Sequence, residues 1–488
     1  MTSSAQTQGL AALESRIRQD LDYLGLPAKN WTIPASHPEG EVKDVVIVGG
    51  GMSGLAVAAA LAFNGVDAEI YDQSPAGLEG PWATTARMIT LRSPKELPGP
   101  CLGIPSLTFR AWYEAQHGLE GWQQLDKIHR LSWMEYLRWY REVLQLKVHN
   151  LQKLVDVEAR ADGVVALSFR DDTSGQTRRV LARHAVLATG RDGLGGASLP
   201  AWAARLPSSH WVHSGAAWSG EMLRGRNVTV IGGGSSAMDA AATALEHGAR
   251  SVSLLIRRHD LPRINKSKGT VNPGMAHGFR LLSDEWKWKV RHYLNTTQVP
   301  PPHSSTLRVS QYPNASFHFG IQVETARLED DRVVLSTNLG EVTTDFVIFC
   351  TGFCTDWAQR PEYARIAGHV RLWQDHYPSL PGAPDRELAG SPYLGSLYQF
   401  LEKQPGSLPG LERIHCFNYA AALSQGASAG DIPQVSDGAQ RLASGLIASL
   451  LAEDVDQHYA RLQQYDEPEL DGSEWRAAAS PLPDQAHL

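Results

Sequence analysis

Short apolar runs alternate with segments of helical spacing near the start of the chain. Residues 44–48 contain a run of valine and isoleucine, and residues 68–71 contain a second short apolar run. Between them, the alanine- and leucine-rich segment at residues 53–64 is long enough for a helix. Strand, helix and strand in this order predict a βαβ unit, whose two strands lie parallel in one sheet.

The same pattern returns about 180 residues later in the chain. Residues 227–231 form an apolar run that leads into a glycine turn, and residues 251–257 continue this second unit. Further strand-like runs lie at residues 185–190, 333–337 and 344–350. Two βαβ units in one chain predict an α/β fold with two dinucleotide-binding, Rossmann-like domains.

The regions outside these units have simpler patterns. Residues 1–40 are expected to be an N-terminal extension that begins with a helix, because apolar residues recur there at helical spacing. Residues 75–121 and 378–392 are rich in proline and glycine and are expected to be loops. Residues 434–453 predict a closing helix.

A further helix is predicted after Ser132, because Ser132 and Glu135 have the spacing of a capping box. The aromatic stripe along this helix is a candidate ligand site, but helical spacing alone already explains it by core packing. The stripe contains Trp133, Tyr136, Leu137, Tyr140 and Leu144.

The first glycine turn has the composition of a dinucleotide fingerprint. Gly49 allows the tight turn, Gly51 lets the backbone approach a pyrophosphate, and Gly54 lets the helix pack closely on the strand. Ser53 opens the helix whose amino end would hold the phosphates. Asp72 ends the second strand, where an acid accepts a ribose hydroxyl and rejects a 2′-phosphate. The first site is therefore expected to bind FAD or NAD, and the alternative is a βαβ unit without a ligand.

The second glycine turn differs at two points. Alanine replaces the third glycine, and the second strand ends in two arginines instead of an acid. Guanidinium groups can grip a 2′-phosphate, so NADPH is expected here in preference to NADH. A solvated basic surface is the alternative for the arginines, because further basic residues follow them. The candidate residues are Gly232, Gly234, Ser235, Ser236, Ala237, Arg257 and Arg258.

Several further motifs accompany the two turns, and together they resemble the class B flavin-dependent monooxygenases. This group includes flavin-containing monooxygenases, Baeyer–Villiger monooxygenases and N-hydroxylases. The resemblance spans roughly residues 40–450. Its motifs are Gly80-Pro-Trp82, Arg92-Ser-Pro-Lys-Glu-Leu97, Ala188-Thr189-Gly190, Cys350-Thr351-Gly352-Phe353 and Gly430-Asp431-Ile-Pro433.

The resemblance implies an FAD-binding domain at residues 41–200 and 340–488, with an NADP-binding domain inserted at residues 201–339. It implies an NADPH-dependent enzyme that transfers one oxygen atom from O₂ to a small organic substrate through a C4a-(hydro)peroxyflavin. The chemistry would be N- or S-oxygenation or of the Baeyer–Villiger type. Gly80, Trp82, Thr189, Thr351, Gly352 and Asp431 would contribute to cofactor binding.

Two residues are candidates for catalysis. Arg92 stands where flavin-containing monooxygenases have an asparagine near the flavin C4a, and there a guanidinium would stabilise developing negative charge. An equally supported alternative is that Arg92 pairs with the FAD pyrophosphate or with NADP⁺. His213 belongs to a degenerate version of a family motif, and it is expected either at the interdomain hinge or in a surface loop.

Composition narrows the possible partners. A formal charge of −7 and a pI near 6.2 do not favour nucleic acid, and no apolar run reaches the length of a membrane span. The polar N-terminus suggests a cytoplasmic protein, and a homodimer is one possible state. The cysteines lack a Cys-x-x-Cys pair, which disfavours a dithiol reductase, and no metal site is expected. A reductase without oxygen transfer and a non-catalytic flavoprotein are the alternative functions.

Overall fold

The computed structural model describes residues 4–377 and 384–477. Its strands are, in chain order, β1 (Ala35–His37), β2 (Gly40–Val48), β3 (Ala68–Tyr71), β4 (Val148–His149), β5 (Gln152–Ala159), β6 (Val165–Asp171), β7 (Thr177–Leu187), β8 (Gly195–Ala197), β9 (Trp211–His213), β10 (Asn227–Ile231), β11 (Ser251–Ile256), β12 (Ala315–Phe319), β13 (Val323–Glu329), β14 (Arg332–Thr337), β15 (Gly340–Thr344), β16 (Phe346–Phe349), β17 (Phe353–Thr355) and β18 (Ile414–Cys416).

The α-helices follow the same numbering scheme. They are α1 (Ser4–Tyr23), α2 (Met52–Phe63), α3 (Phe109–Gln124), α4 (Arg130–Val143), α5 (Ser235–Glu246), α6 (Pro273–Gly278), α7 (Asp284–Thr297), α8 (His303–Ser310), α9 (Ala364–Ala367), α10 (Trp373–His376), α11 (Arg386–Ala389), α12 (Ala422–Gln425), α13 (Val435–Glu453) and α14 (Val455–Gln464).

The first sheet has the order β4-β3-β2-β7-β6-β5. Its centre is parallel, since β2 pairs in this way with both β3 and β7, whereas β5, β6 and β7 form an antiparallel meander. Val45, Val46 and Ile47 are fully buried, as is usual for a central strand of a parallel sheet. Helices α2 and α13 pack against each other beside this sheet.

The second sheet is parallel throughout, with the order β12-β11-β10-β16-β9. A separate antiparallel sheet, β13-β14-β15, precedes its strand β16. Because β16 extends the second sheet to Phe349, the inserted unit continues past the expected boundary at residue 339. We therefore place the return to the first unit after Phe349.

Both predicted βαβ units and the closing helix are present, but two local predictions were wrong. Residues 75–121 were expected to be a loop, yet α3 begins at Phe109, where the Thr108 hydroxyl accepts from the Ala111 amide. Gly118, with a positive φ of 70°, interrupts this helix. The helical spacing of the apolar residues is broken there, so the sequence pattern did not predict a helix. The capping box at Ser132 was also wrong, since α4 begins one turn earlier with His129 as its cap.

The N-terminal extension and the second predicted loop both contain helices. Helix α1 packs on α3, and Leu13 and Ile17 lie in the core of the first unit. In the predicted loop at 378–392, residues 378–383 lie outside the described residues, and α11 occupies Arg386–Ala389. No helix in the described ranges is both long and apolar enough to cross a bilayer.

Candidate functional site

The first glycine turn joins β2 to α2 at the carboxyl end of the first sheet. Gly49 has a φ of 108°, and a Cβ there would lie 2.4 Å from the Ala188 carbonyl oxygen. A Cβ on Gly54 would lie 1.9 Å from the Gly49 carbonyl oxygen, so only glycine lets the helix sit this close. Gly51 differs, because its Cβ would meet only the Gly80 Cα at 3.9 Å. The turn therefore packs tightly against the protein at Gly49 and Gly54 and leaves space for a ligand at Gly51.

Asp72 supports this turn from the end of β3. Its carboxylate accepts from the Gly50 amide at 2.7 Å and from the Ser74 amide at 2.7 Å, and the side chain is buried. Ser53 donates to the Ala429 carbonyl at 2.9 Å, which links the turn to the segment before Asp431. Asp72 thus fixes the backbone of the turn at the position where a ribose would lie.

A cavity of about 390 Å³ opens beside Gly50 and Gly51. Four charged residues that sequence reasoning missed line it, namely Glu79, Arg138, Arg141 and Glu142. Glu79 is buried and accepts from Arg141 at 2.7 Å and from Asn150 at 2.6 Å. Their signal in the sequence was the spacing of Arg138 and Arg141, which puts both guanidinium groups on one face of α4.

An open glycine cradle at a helix amino end, next to a cavity of this size, fits the phosphate-bearing part of FAD. Gly80 has a φ of 78°, and Trp82 stands edge-on to Trp133 while its carbonyl accepts from Arg130. Thr189 accepts from the Asn418 amide at 3.1 Å near the end of β7. These residues therefore lie next to the first glycine turn and leave its open side accessible.

The second glycine turn repeats this geometry between β10 and α5. Gly232 has a φ of 133°, and its Cβ would lie 2.5 Å from the Cys350 carbonyl oxygen. A Cβ on Gly234 would meet nothing within 4 Å, so this turn is also open at its helix amino end. Ala237 is completely buried, whereas Ser236 accepts from the Cys350 thiol through its carbonyl. This cradle fits a second dinucleotide.

The two arginines after β11 have different surroundings. Arg257 is exposed, and Arg258 donates to the Thr296 carbonyl at 2.6 Å. Both follow the carboxyl end of β11, next to the turn. Arg257 is therefore the one whose guanidinium is available to a 2′-phosphate.

Arg92 extends from the first unit towards α5. Its Nη2 lies 3.8 Å from Asp239 Oδ2. Protein atoms surround the guanidinium group, but 43% of the side-chain surface remains accessible to solvent. Burial lowers the pKa of Arg92, and the charge of Asp239 opposes that shift. The buried Asp239 also accepts from the Ser305 hydroxyl at 2.7 Å. Arg92 thus connects the first unit to the helix of the second glycine turn.

Arg87 makes a second contact between the two units. Its guanidinium lies 3.5 Å from the centroid of the Trp218 ring and donates to the Trp218 carbonyl at 2.7 Å. Sequence reasoning missed Arg87, because nothing in its local sequence indicates a partner so far along the chain.

His213 ends β9 and has both ring nitrogens occupied. Nδ1 accepts from the Gly215 amide at 3.1 Å, so Nε2 carries the proton and donates to the Gly352 carbonyl at 3.0 Å. Burial lowers the pKa of His213, which favours the neutral ring. Thr351 donates to the Ser198 carbonyl nearby, and the β8–β17 ribbon pairs the two segments of the first unit that precede and follow the inserted unit. His213 therefore lies at the interdomain connection.

Asp431 lies just before α13 with an exposed side chain. Surrounding protein raises its pKa, and the guanidinium groups of Arg291 and Arg191 oppose this shift. Both arginines were missed from the sequence, although Arg191 directly follows the Ala188-Thr189-Gly190 motif.

Two open dinucleotide cradles on separate sheets define a flavoprotein that brings a nicotinamide cofactor to FAD. A family model described as FAD-NAD(P)-binding matches residues 46–192. The FAD-dependent urate hydroxylase of Xanthomonas campestris pv. campestris is 36% identical over 480 residues, which covers 98% of this chain and 99% of that protein. The chain belongs to the class B flavin-dependent monooxygenases, as a homologue of that enzyme.

Solved structures agree at the level of the fold. The ornithine N-hydroxylase of Kutzneria sp. 744, solved with reduced FAD, NADP⁺ and L-ornithine, superposes with a TM-score of 0.64 and 16% identity over 84% of this chain and 99% of that one. The FAD-bound cadaverine monooxygenase from Erwinia amylovora gives a TM-score of 0.62 and 14% identity over 92% of this chain and 100% of that one.

The chain is therefore an FAD- and NADPH-dependent monooxygenase that transfers one oxygen atom from O₂ to a small organic substrate. The alternatives of a reductase without oxygen transfer and of a non-catalytic flavoprotein are set aside by this family membership.

Proposed function

We propose that this enzyme hydroxylates urate or a closely related oxopurine. The observation that carries the proposal is the 36% identity to a urate hydroxylase, which extends over nearly the full length of both chains. The balanced reaction consumes one substrate, one O₂, one NADPH and one proton, and yields the hydroxylated substrate, NADP⁺ and water. One oxygen atom enters the substrate, and the two electrons from NADPH reduce the other to water.

The chain's residues would divide the work between binding and positioning. Gly51 and Asp72 would hold FAD at the first turn, and Gly234 and Arg257 would hold NADPH at the second turn. When bound, the flavin supplies hydride acceptance and oxygen activation, for which no side chain has an equivalent. The protein then contributes orientation and a cleft from which water is displaced.

We propose that Arg92 positions the nicotinamide cofactor between the two units. Its support is the 3.8 Å distance to Asp239, which is buried on the helix of the second turn. We expect Arg92→Gln to raise the KM for NADPH by about tenfold, the size typical of one lost charge-assisted contact, while FAD stays bound. A changed rate of oxygen transfer with an unchanged KM for NADPH would instead assign Arg92 to the reacting end of the flavin.

His213 is proposed as a positioning residue at the connection between the units. Its two hydrogen bonds to backbone atoms support this role, because a ring with both nitrogens occupied is held in place. We likewise propose the inserted NADP unit as residues 201–349, which includes strand β16.

We propose a cytoplasmic location and a homodimer for the enzyme. Dependence on NADPH and four free cysteines support the location. An exposed apolar stripe near the C-terminus, formed by Leu451, Val455, Tyr459 and Leu462, supports the dimer. Light scattering of the purified holoenzyme gives its mass directly, and a monomeric mass would contradict the dimer.

The direct test of the function is NADPH oxidation by the purified holoenzyme with and without urate. We expect urate to accelerate NADPH consumption strongly and to be consumed in equal amount. An unchanged rate, together with intact urate, would contradict the proposal. Amines such as ornithine serve as the comparison substrates.

A further inference from the structure

The cavity beside the first glycine turn combines apolar and acidic groups. Its volume of about 390 Å³ lies within the range of roughly 300–1,000 Å³ that small-molecule sites occupy. Part of its lining is apolar and consists of the buried side chains of Leu55, Met134 and Leu137. The lining also includes Glu79, whose side chain is only 4% exposed. An apolar surface together with a buried acid suits a nucleoside, which has a flat base and a sugar with hydroxyl groups.

Glu79 is held in place through one of its two carboxylate oxygens. Its Oε1 accepts from Arg141 Nη1 at 2.7 Å and from Asn150 Nδ2 at 2.6 Å. Asn150 is itself fixed, because its amide also donates to the Ser74 carbonyl at 3.0 Å. Glu79 Oε2 has no hydrogen-bond partner in the described part of the chain. A carboxylate oxygen without a donor is costly at a buried position, so Oε2 is the acceptor that Glu79 can offer to a ligand in the cavity.

Asp72, the acid at the end of β3, is placed differently. Its Oδ2 accepts from the Gly50 amide and its Oδ1 accepts from the Ser74 amide, both at 2.7 Å. Both oxygens therefore stabilise the backbone of the glycine turn and of the loop after β3. The two acids are nevertheless neighbours, since a Cβ on Gly50 would lie 3.3 Å from Glu79 Cγ and 3.5 Å from Asp72 Cβ. A ribose beside Gly50 would thus be within reach of Glu79.

The loop that carries Glu79 is fixed by helix α4. Gly77 has a φ of 76°, and its carbonyl accepts from Arg138 Nε at 2.8 Å and from Arg138 Nη2 at 2.6 Å. Arg141, three residues further along α4, forms the ion pair with Glu79. Both arginines therefore order the wall of the cavity, and they hold the Glu79 carboxylate in a defined position before a ligand binds.

We propose that the cavity holds the adenosine half of FAD and that Glu79 Oε2 accepts a hydrogen bond from a hydroxyl group of its ribose. Asp72 then acts through the glycine turn, whose backbone it fixes, and the open side of Gly51 receives the adjoining phosphates. A carboxylate at this place also repels a ribose 2′-phosphate, so Glu79 makes the first site selective for FAD over NADPH. This role of Glu79 does not depend on which substrate the enzyme hydroxylates.

The test compares FAD with an FAD analogue whose adenosine ribose lacks both hydroxyl groups. Each ligand is titrated into the flavin-free, full-length protein, and flavin fluorescence reports the dissociation constant. The wild type should bind FAD about 10- to 100-fold more tightly than the analogue, as expected for a hydrogen bond to a charged group. Glu79→Gln should bind FAD more weakly and lose most of this discrimination, because an amide forms only an uncharged hydrogen bond.

The ratio of the two dissociation constants separates a ribose contact from a purely structural role. If Glu79 only supports the loop, Glu79→Gln will weaken both ligands equally and keep the wild-type ratio, which would overturn the proposal. Equal binding of the two ligands by the wild type would overturn it as well. Asp72→Asn should weaken both ligands through the turn while the ratio stays at the wild-type value. Loss of the ratio in Asp72→Asn, with its retention in Glu79→Gln, would assign the ribose to Asp72 instead.

Glu135→Gln is the matched control. Glu135 lies on α4 and carries the same charge as Glu79, but its side chain is exposed. Its affinities for both ligands should equal those of the wild type, and melting temperatures report whether each variant is folded. If Glu79→Gln does not fold, the double variant Glu79→Gln/Arg141→Gln replaces it with the same expected loss of discrimination, because it leaves no guanidinium without its carboxylate.

Discussion

At the scale of single residues, the clearest prediction concerns the two glycines that cap the amino ends of helices α2 and α5. Gly51 and Gly234 both stand at the amino end of a helix, and the protein leaves space for a Cβ at each. The glycine at each position therefore leaves room for a ligand and is not required by the packing of the fold. Gly54 is the contrast, because a Cβ there collides with the protein itself.

The paired substitutions Gly51→Ala and Gly234→Ala test this distinction. Each should fold with a melting temperature close to the wild type, since neither added methyl meets protein atoms within about 3.9 Å. Gly51→Ala should weaken FAD binding by roughly tenfold or more, and Gly234→Ala should raise the KM for NADPH while FAD stays bound. FAD fluorescence titration and steady-state kinetics provide the two readouts. The reverse pattern would mean that the cofactors have been assigned to the wrong turns.

The sequence could predict these glycines because the backbone geometry that requires glycine is set by residues that are close together in the chain. A strand, a turn and a helix determine where Gly49, Gly51 and Gly54 must stand. The contact between Arg92 and Asp239 could not be predicted in this way, because nearly 150 residues separate the two in the chain.

At the scale of secondary-structure elements, a buried cluster joins β7, β18 and α13 at a distance from the glycine turns. His184 Nδ1 lies 3.2 Å from His415 Nε2, and His184 Nε2 lies 3.3 Å from Glu453. Burial lowers the pKa of His415 to about 3 and also lowers the pKa of His184. Burial alone would raise the pKa of Glu453, but His184 and nearby arginines bring it down to about 2.

This cluster predicts a loss of stability in acid. The unfolded chain binds a proton at His415 below its ordinary pKa of 6.5, whereas the folded chain does not until about pH 3. Stability should therefore fall as the pH drops from 6.5, by up to about 1.4 kcal/mol per pH unit for this one group. Glu453 adds a further loss below its ordinary pKa of 4.5.

Melting temperatures of the wild type and His415→Gln across this pH range check the prediction. The variant should be less stable at neutral pH but should show a shallower decline in acid. His303→Gln, at an exposed histidine, is the control and should follow the wild type. Parallel curves for the wild type and His415→Gln would show that His415 is not responsible for acid sensitivity.

Elements were predictable where the pattern was regular, as for α2, α13 and the strands β2, β3, β10 and β11 around the two glycine turns. Helix α3 was missed because Gly118 and Gly121 weaken helix propensity, and tertiary packing overrides that weakness by burying Trp112 and Trp122. The start of α4 was misplaced because His129 caps it, a residue type that the capping rules do not favour.

At the scale of the whole molecule, the two dinucleotide units are in contact. The Arg87–Trp218 stack and the Arg92–Asp239 pair connect them, and the β8–β17 ribbon pairs the two segments of the first unit that flank the inserted unit. The sequence predicted the two units and their order, because each is encoded by its own turn. Their mutual orientation depends on contacts between distant residues, so it could not be derived from the sequence alone.

The central claim is that this arrangement carries oxygen from O₂ to urate at the expense of NADPH. The most direct measurement is turnover of urate by the holoenzyme under ¹⁸O₂, with the product analysed by mass spectrometry. The account predicts one ¹⁸O atom per product molecule and one NADPH consumed for each. Unlabelled product, or NADPH oxidation that yields only hydrogen peroxide while urate remains intact, would contradict it.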